Sequence, residues 1–499
     1  MSAADLQLVV HFAFLSRIVA ISFQVVFNSL VPDHRADAFR MPQLHSPSTG
    51  DVLLEILFGG FSRWDAQHFL FIAEFGYIYE QNFAFLPLFP ASIRAMADTL
   101  LGPLELWLSL RSRLLLASVL LNTIIFVLSA VVLNQLSVAV LRDHRLASLA
   151  SLLFCLNPAS VFMSAAYSES IFLLLTLSGM LLLEKGRPLA SCILFALATA
   201  ARSNGIVNAG FLFYSQLKQC ILYLRPELKI TGKDWHKLWL CLILRSVLLV
   251  TAGSVVIILP FVLFQYYGYL TFCRSAVLTI PQHLLLLAKE KGFRVPNKDS
   301  VVPSWCHHHY PFIYSYIQDT YWNVGFMRYY QLQQLPNFLL AFPMIVLGMW
   351  AAWKYLLAEP WYCMHLGLVN KKLKGEREGN EKAQSGFHSH GVFVYVVHAT
   401  ALLVFGICFM HIQVITRFLA SASPVLYWFS AYLLQETGPR HLMQDSGTSA
   451  YLWIIPRNTL TALLQDWRRC SLTARCVLGY FLLYWLLGLA LHCNFFPWT

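Results

Sequence analysis

Seven long apolar stretches of this 499-residue chain run for at least 18 residues without a charged side chain, and nothing else in the sequence limits its fold so severely. They are Leu114–Leu141, Leu146–Ser168, Ser246–Cys273, Tyr329–Trp353, Gly391–Thr416, Phe418–Gln435 and Cys476–Thr499. About 20 apolar residues span a bilayer core of roughly 30 Å. Leu6–Leu30 is a further span interrupted once, by Arg17. Ser170–Leu183 and Pro188–Ala201 flank the turn Glu184-Lys185-Gly186-Arg187, and another span covers about Asn204–Tyr223. The composition agrees: 58% of residues are hydrophobic and 12% charged, against roughly a quarter charged in soluble domains. Disorder, a coiled coil, a collagen-like fibre and a small disulfide scaffold are excluded. The expected fold is an all-α polytopic membrane protein with about eleven transmembrane helices, a single domain over 1–499 without an internal repeat.

The net charge of +11 does not point to nucleic acid, because the basic residues form no continuous patch. They recur in short groups between apolar runs, such as Arg142-Asp143-His144-Arg145 and Lys371-Lys372-Leu373-Lys374, as cytosolic loops do. An N-terminus in the cytosol puts 142–145, 184–187, 225–237, 370–382 and 457–469 on that side, with 370–382 inside a cytosolic loop over 359–390. The long segments 31–112 and 265–335 then lie opposite, in the lumen of the endoplasmic reticulum if the protein resides there. Segment 31–112 carries nine Asp or Glu against five Arg. Its apolar groups Val52–Phe58 and Phe69–Ile72 have the spacing of amphipathic helices lying in the membrane interface. Leu6–Leu30 is too long for a cleaved signal and reads as a signal anchor. The eleven cysteines show no CxxC spacing and mostly fall in apolar runs. Cys273 and Cys306 lie outside the spans and could pair, though an odd count predicts no framework.

Candidate chemistry concentrates in a few places. Ser62-Arg63-Trp64-Asp65-Ala66-Gln67-His68-Phe69 sets an acid beside an aromatic in an apolar setting, with Asp65 and His68 on one helix face. Burial would raise the Asp65 pKa toward that of a general base; equally, Asp65 could cap a helix over 66–75. Asn82–Pro90, rich in proline and aromatics, reads as a rigid structural turn. Glu169 stands 15 residues before the turn at Glu184, and Arg202 stands 15 after Arg187. A helical hairpin brings both to one depth, roughly 22 Å from the turn. Charges within the membrane usually pair and line a cavity, although the pair could simply lock the hairpin. Asn204 follows close by.

Gln318-Asp319-Thr320-Tyr321-Trp322-Asn323 interleaves aromatics with amides and an acid, as sugar sites do; an interfacial aromatic belt has the same look. Arg417 is the lone charge between two apolar runs and could grip a phosphate bidentately or snorkel to headgroups. Arg17 has the same two options, snorkelling being favoured. Adjacent histidines such as His307-His308-His309 beside Cys306 seldom converge on one ion, so no metal site is expected. No phosphate-binding loop, dinucleotide fingerprint, GxSxG or HExxH motif is present, and no cofactor is expected.

Val31-Pro32-Asp33-His34, Trp64 to Glu74, Tyr167-Ser168-Glu169, Arg202-Ser203-Asn204-Gly205 and Phe264-Gln265-Tyr266-Tyr267 together resemble the PIG-V family of glycosylphosphatidylinositol (GPI) mannosyltransferases. Tyr314 to Asp319, Tyr321 to Phe326, Pro336 to Ala341 and the tail His492 to Thr499 continue the likeness over nearly the whole chain. Gln67 replaces an expected Glu and Leu86 an expected Phe; the first leaves Asp65 as the better catalytic carboxylate. The resemblance implies a GT-C-type glycosyltransferase in the endoplasmic reticulum membrane, with its active site on the luminal side. It implies dolichyl-phosphate mannose as donor, a one-mannose GPI precursor as acceptor and an α-1,6 linkage to the second mannose. It leaves room for a small membrane subunit as partner.

On that basis Asp65 is the expected base and His68 orients it or the acceptor. Arg417 and Arg202 are expected at the donor phosphate, with Glu169 fixing Arg202 or holding the acceptor. Trp64, Asn204, Gln318, Asp319, Trp322 and Asn323 are the remaining candidate substrate contacts. A lipid or solute transporter would also show many spans and buried charges, but the acidic segment 31–112 would then be unexplained. A scaffold subunit would tolerate loss of Asp65.

Overall fold

The computed structural model describes residues 3–36, 38–42, 46–223, 235–274, 280–296, 302–369, 385–438, 451–452, 455–456 and 458–498. The basic groups expected over 225–237 and 370–382 fall mostly outside these residues, as do Arg457 and Thr499. Among the described residues the regular elements are helices, apart from a minimal hairpin pairing Tyr451–Leu452 with Ile455–Pro456. In order the helices are α1 (Ala3–Leu30), α2 (Thr49–Phe58), α3 (Asp65–Phe75), α4 (Leu88–Asp98), α5 (Leu110–Leu141) and α6 (His144–Cys155). Next come α7 (Glu169–Glu184), α8 (Pro188–Ala201), α9 (Ala209–Tyr223), α10 (Trp235–Cys273), α11 (Gln282–Lys291) and α12 (Ile313–Thr320). The rest are α13 (Leu335–Ala358), α14 (Pro360–Met364), α15 (Phe393–Phe409), α16 (Ile415–Ala422), α17 (Val425–Thr437), α18 (Thr459–Gln465) and α19 (Leu472–His492).

Among the described residues six helices are long and apolar enough to cross a bilayer, within α1, α5, α10, α13, α15 and α19 and their flanks. The other expected spans are built differently. α7 has 16 residues, or about 24 Å at 1.5 Å per residue, and α6, α8, α9, α16 and α17 are shorter still. The local sequence explains the breaks. Ser423 precedes Pro424 and is extended (φ −137°, ψ 133°), which separates α16 from α17. Arg202 is likewise extended where α8 ends. The chain then folds back so closely that a Cβ on Gly205 would lie 2.5 Å from the Thr199 nitrogen.

Non-helical backbone at membrane depth survives only where protein or a wet cavity satisfies it, and the stretch between α6 and α7 shows how. Asn122 of α5 donates to the Ala165 and Tyr167 carbonyls, at 2.6 and 3.1 Å. Arg17 of α1 is wholly buried. It donates to the Ser160 and Cys155 carbonyls and to the Ser160 and Ser164 hydroxyls, and lies 3.9 Å over the Phe126 ring. Neither expectation for Arg17 holds: it does not snorkel, and it sits in the bundle as the partner of unwound backbone rather than in a phosphate site.

Segments 31–112 and 265–335 pack on one another at one end of the bundle. Glu80 is wholly buried and joins them. It accepts from Trp305 Nε1 at 2.9 Å, Tyr321 Oη at 2.8 Å and Arg294 Nη1 at 3.2 Å. Cys273 and Cys306 are disulfide-bonded beside this junction. At the other end the Tyr395 hydroxyl donates to Glu184, and Ser389 Oγ donates to the Val140 carbonyl. In the first segment α2 leaves Val52, Leu53 and Ile56 exposed, as an interfacial helix would. α3 departs from that expectation, because it packs against α4 and α5 and encloses Phe69 to Ile72.

Arg17→Met strands buried acceptors at roughly 1–3 kcal/mol each. It should lower the thermal midpoint of the detergent-solubilised protein, with Arg17→Lys in between; an unchanged midpoint would show that water serves those carbonyls.

Candidate active site

The break points of α3, α7, α8 and α16 converge on one cavity of about 1460 Å³. Glu169 is the first residue of α7, where the helix dipole favours a carboxylate; Arg202 follows the last turn of α8, where it favours a cation. Arg202 Nη1 lies 2.5 Å from Glu169 Oε1. Arg417, in the first turn of α16, places Nη1 3.0 Å from Asp65 Oδ2 and 3.9 Å from Glu169 Oε1. Asp65, Arg417, Glu169 and Arg202 thus form a chain of alternating charge with no net charge. Glu169 is wholly buried, while a third of the Asp65 side chain faces open space. The Arg417 guanidinium also lies 5.2 Å from the Phe162 ring centre and 5.8 Å from that of Tyr167.

Asp65 is not a helix cap. Trp64 occupies the cap position, with a φ of 58° that non-glycine residues rarely adopt, and no side chain caps α3. The strained turn is held from both sides. Arg63 pairs with Asp33 at 3.3 Å and Glu55 at 3.4 Å and donates to the Cys493 carbonyl. The Tyr167 hydroxyl receives the Asp65 backbone N–H at 3.2 Å and donates to the Arg63 carbonyl. Burial alone would raise the Asp65 pKa, as expected from the sequence. The neighbouring charges reverse the sign: against burial, the charge and hydrogen bond of Arg417, together with His68 and Arg202, hold the carboxyl below the usual range. His68 lies between Phe39 and Phe85, with Nδ1 3.4 Å from Asn82 Oδ1. Burial pulls its pKa down to about 4, against the opposing pull of Asp65, so it is neutral at pH 7.

Trp64, His68, Asn204, Gln318, Asp319 and Trp322 all line the same cavity. Asp319 is ion-paired with Arg328 and half exposed, at the rim. Asn323 takes a φ of 51° and is not among the lining residues, so the structure does not bring it to the site. His308 lines the cavity, and among the described residues no three His, Cys, Asp or Glu group as metal ligands. Gln67 is buried, accepting from the Met41 N–H and donating to the Ser62 carbonyl. Sequence reasoning passed over Ser168, Gln413, His492 and Trp498, which also line the cavity. Only folding brings the C-terminal tail, some 430 positions away, against Arg63. Trp64 Nε1, Asn204 Nδ2, Arg202 Nε and Arg417 Nε are buried donors with no hydrogen-bond partner among the described residues. Unmatched donors beside two guanidiniums suit a ligand rich in acceptors, such as a phosphate or a sugar.

The profile of the Mannosyltransferase (PIG-V) family matches residues 6–499. The chain belongs to the PIG-V mannosyltransferase family. GPI alpha-1,6-mannosyltransferase 2 of Mus musculus is 49% identical over 98% of both chains. The Homo sapiens protein of the same name is 47% identical over the same shares. Among solved structures, an oligosaccharyltransferase of Archaeoglobus fulgidus is similar over 96% of this chain and 55% of its own, with a TM-score of 0.43 and 12% identity. For this PIG-V family member, the shared match extends through every segment that contributes to the charge cluster.

Tyr167→Phe removes one hydroxyl from the strained turn while keeping the ring under Arg417. Mannosyl transfer in microsomes should fall by up to about tenfold, the worth of one net hydrogen bond. Full activity would mean that the turn holds Asp65 without it.

Proposed function

We propose that this protein transfers mannose from dolichyl-phosphate mannose to the 6-hydroxyl of the mannose on a one-mannose GPI precursor, forming an α-1,6 link. The reading places the site at the luminal face of the endoplasmic reticulum membrane, in a GT-C-type fold. The observation that carries it is the placement of a half-open carboxylate, Asp65, against a guanidinium, Arg417, in the cavity of a mannosyltransferase-family chain. The luminal placement is supported by the Cys273–Cys306 disulfide, since such bonds persist in oxidising compartments. A small membrane subunit belongs to the same reading, and co-purification would find it.

A β-linked donor and an α-linked product require a single inverting displacement. Asp65 takes the proton of the acceptor hydroxyl as its oxygen attacks the anomeric carbon. The bond from that carbon to the phosphate oxygen breaks, and dolichyl phosphate leaves with the electron pair. Arg417 and Arg202 stabilise the charge on the departing phosphate; a phosphate is a weak base and needs no strong acid. Glu169 holds both guanidiniums from behind. Neutral His68, beside Asp65, is a positioning group. In the resting site Arg417 is engaged by Asp65 and depresses its pKa. A donor phosphate that draws Arg417 away removes the foremost charge opposing burial, and the carboxylate becomes a stronger base once the donor is bound.

The test is microsomes from cells that accumulate the one-mannose precursor, given labelled dolichyl-phosphate mannose. Wild type should form the two-mannose lipid, and Asp65→Asn at matched abundance should lose roughly 100- to 10,000-fold. Transfer by the mutant within a few-fold of wild type would exclude Asp65 as base. The pH profile carries a further sign. The acid limb of kcat/KM, which reports the free enzyme, should lie at lower pH than the limb of kcat, which reports the loaded one. Coincident limbs would exclude release of Asp65 by the donor.

A further inference from the structure

Among the described residues, five large hydrophobic side chains that line the cavity are also exposed: Val207, Tyr310, Phe312, Phe405 and Phe409. The opposite walls are closed, with Tyr167 and Glu169 buried and Trp498 nearly so. The open side is therefore a gap between three pieces of chain. One is the turn Ser203–Asn208 that follows Arg202, the second is the stretch 310–312 before α12, and the third is α15. Leu402, Phe405 and Phe409 are spaced three and four apart and share one face of α15.

Cations stand beside two of these three pieces. Arg202 immediately precedes the Ser203–Asn208 turn, and Arg417 lies on α16, which packs against α15. α15 is long and apolar enough to cross a bilayer, so a gap that runs along it has hydrocarbon beside it for part of its height. A polar ligand gains nothing from such a mouth, whereas a hydrocarbon chain loses no apolar burial in crossing it. A ligand with an anionic head and a long apolar tail fits both features at once.

We propose that the gap between the Ser203–Asn208 turn and α15 is the path of the donor's polyisoprenyl chain, its phosphate resting on Arg202 and Arg417. This rests on the donor assigned above. Val207 and Phe405 face the chain's first isoprene units, and bulk there narrows the path without touching the charge cluster.

The test compares two donors, dolichyl-phosphate mannose and an ethyl-phosphate mannose that carries no isoprene unit, with Val207→Trp and Phe405→Trp proteins. The long-to-short ratio of kcat/KM should fall about tenfold, as for losing the burial of roughly two methylene groups. An unchanged ratio in variants of native abundance would overturn the path, as would a defect confined to the acceptor KM, which would give the gap to the acceptor lipid. If the variants do not fold, wild-type protein can be labelled with dolichyl phosphate bearing a photoreactive group on its first isoprene. Label on 203–208 or α15 is expected, and label confined to α10 or α13 would overturn the proposal. Wild-type protein that uses neither donor would instead reject the transferase reading itself.

Discussion

The Arg417 guanidinium, held between the carboxylates of Asp65 and Glu169, is the contact on which the rest of the site depends. Charges taken out of water must be paired, and removing one partner leaves another stranded at high cost. With Arg202 on the far side of Glu169, the cluster is neutral at rest. It is also unsaturated: the Nε donors of both arginines have no hydrogen-bond partner among the described residues. A site that is balanced in charge yet has guanidinium donors to spare is arranged to receive an anion and to give up an internal contact in exchange.

Keeping those four residues together explains the irregular parts of the bundle. A regular span buries its backbone and offers no terminus to the membrane interior. The chain instead breaks at the starts of α7 and α16 and at the end of α8, and each break presents one member of the cluster. Arg17 and Asn122 then serve the carbonyls that the first break leaves free. The Glu80 network and the Cys273–Cys306 bond hold the second large segment over the opening.

Much of this was legible in the sequence, and the failures have common causes. The equal spacing of Glu169 and Arg202 about one turn gave their pairing, because a helical hairpin converts sequence distance into depth. The uncharged runs gave the helical membrane fold and marked Arg417 as exceptional. What pairs with Arg417 was not legible, since Asp65 lies 352 positions away and no periodicity links them. The sign of the Asp65 pKa shift failed with it: burial was foreseen, but the neighbouring charges that outweigh it were not. Arg17 was misread because its partners are carbonyls of an unwound stretch that the apolar run 146–168 conceals. Asn323 is a candidate by residue type alone, and only the fold shows that it is not among the residues lining the cavity.

The central claim is that Asp65 and the donor phosphate compete for Arg417. The direct measurement is the affinity of purified wild-type and Asp65→Asn protein for dolichyl phosphate, with no sugar and no turnover. Removing the competing carboxylate charge should make the mutant bind the phosphate lipid more tightly than wild type, although it no longer transfers mannose. Equal or weaker binding by a correctly folded mutant would contradict the exchange and leave the Asp65–Arg417 pair a fixed structural contact.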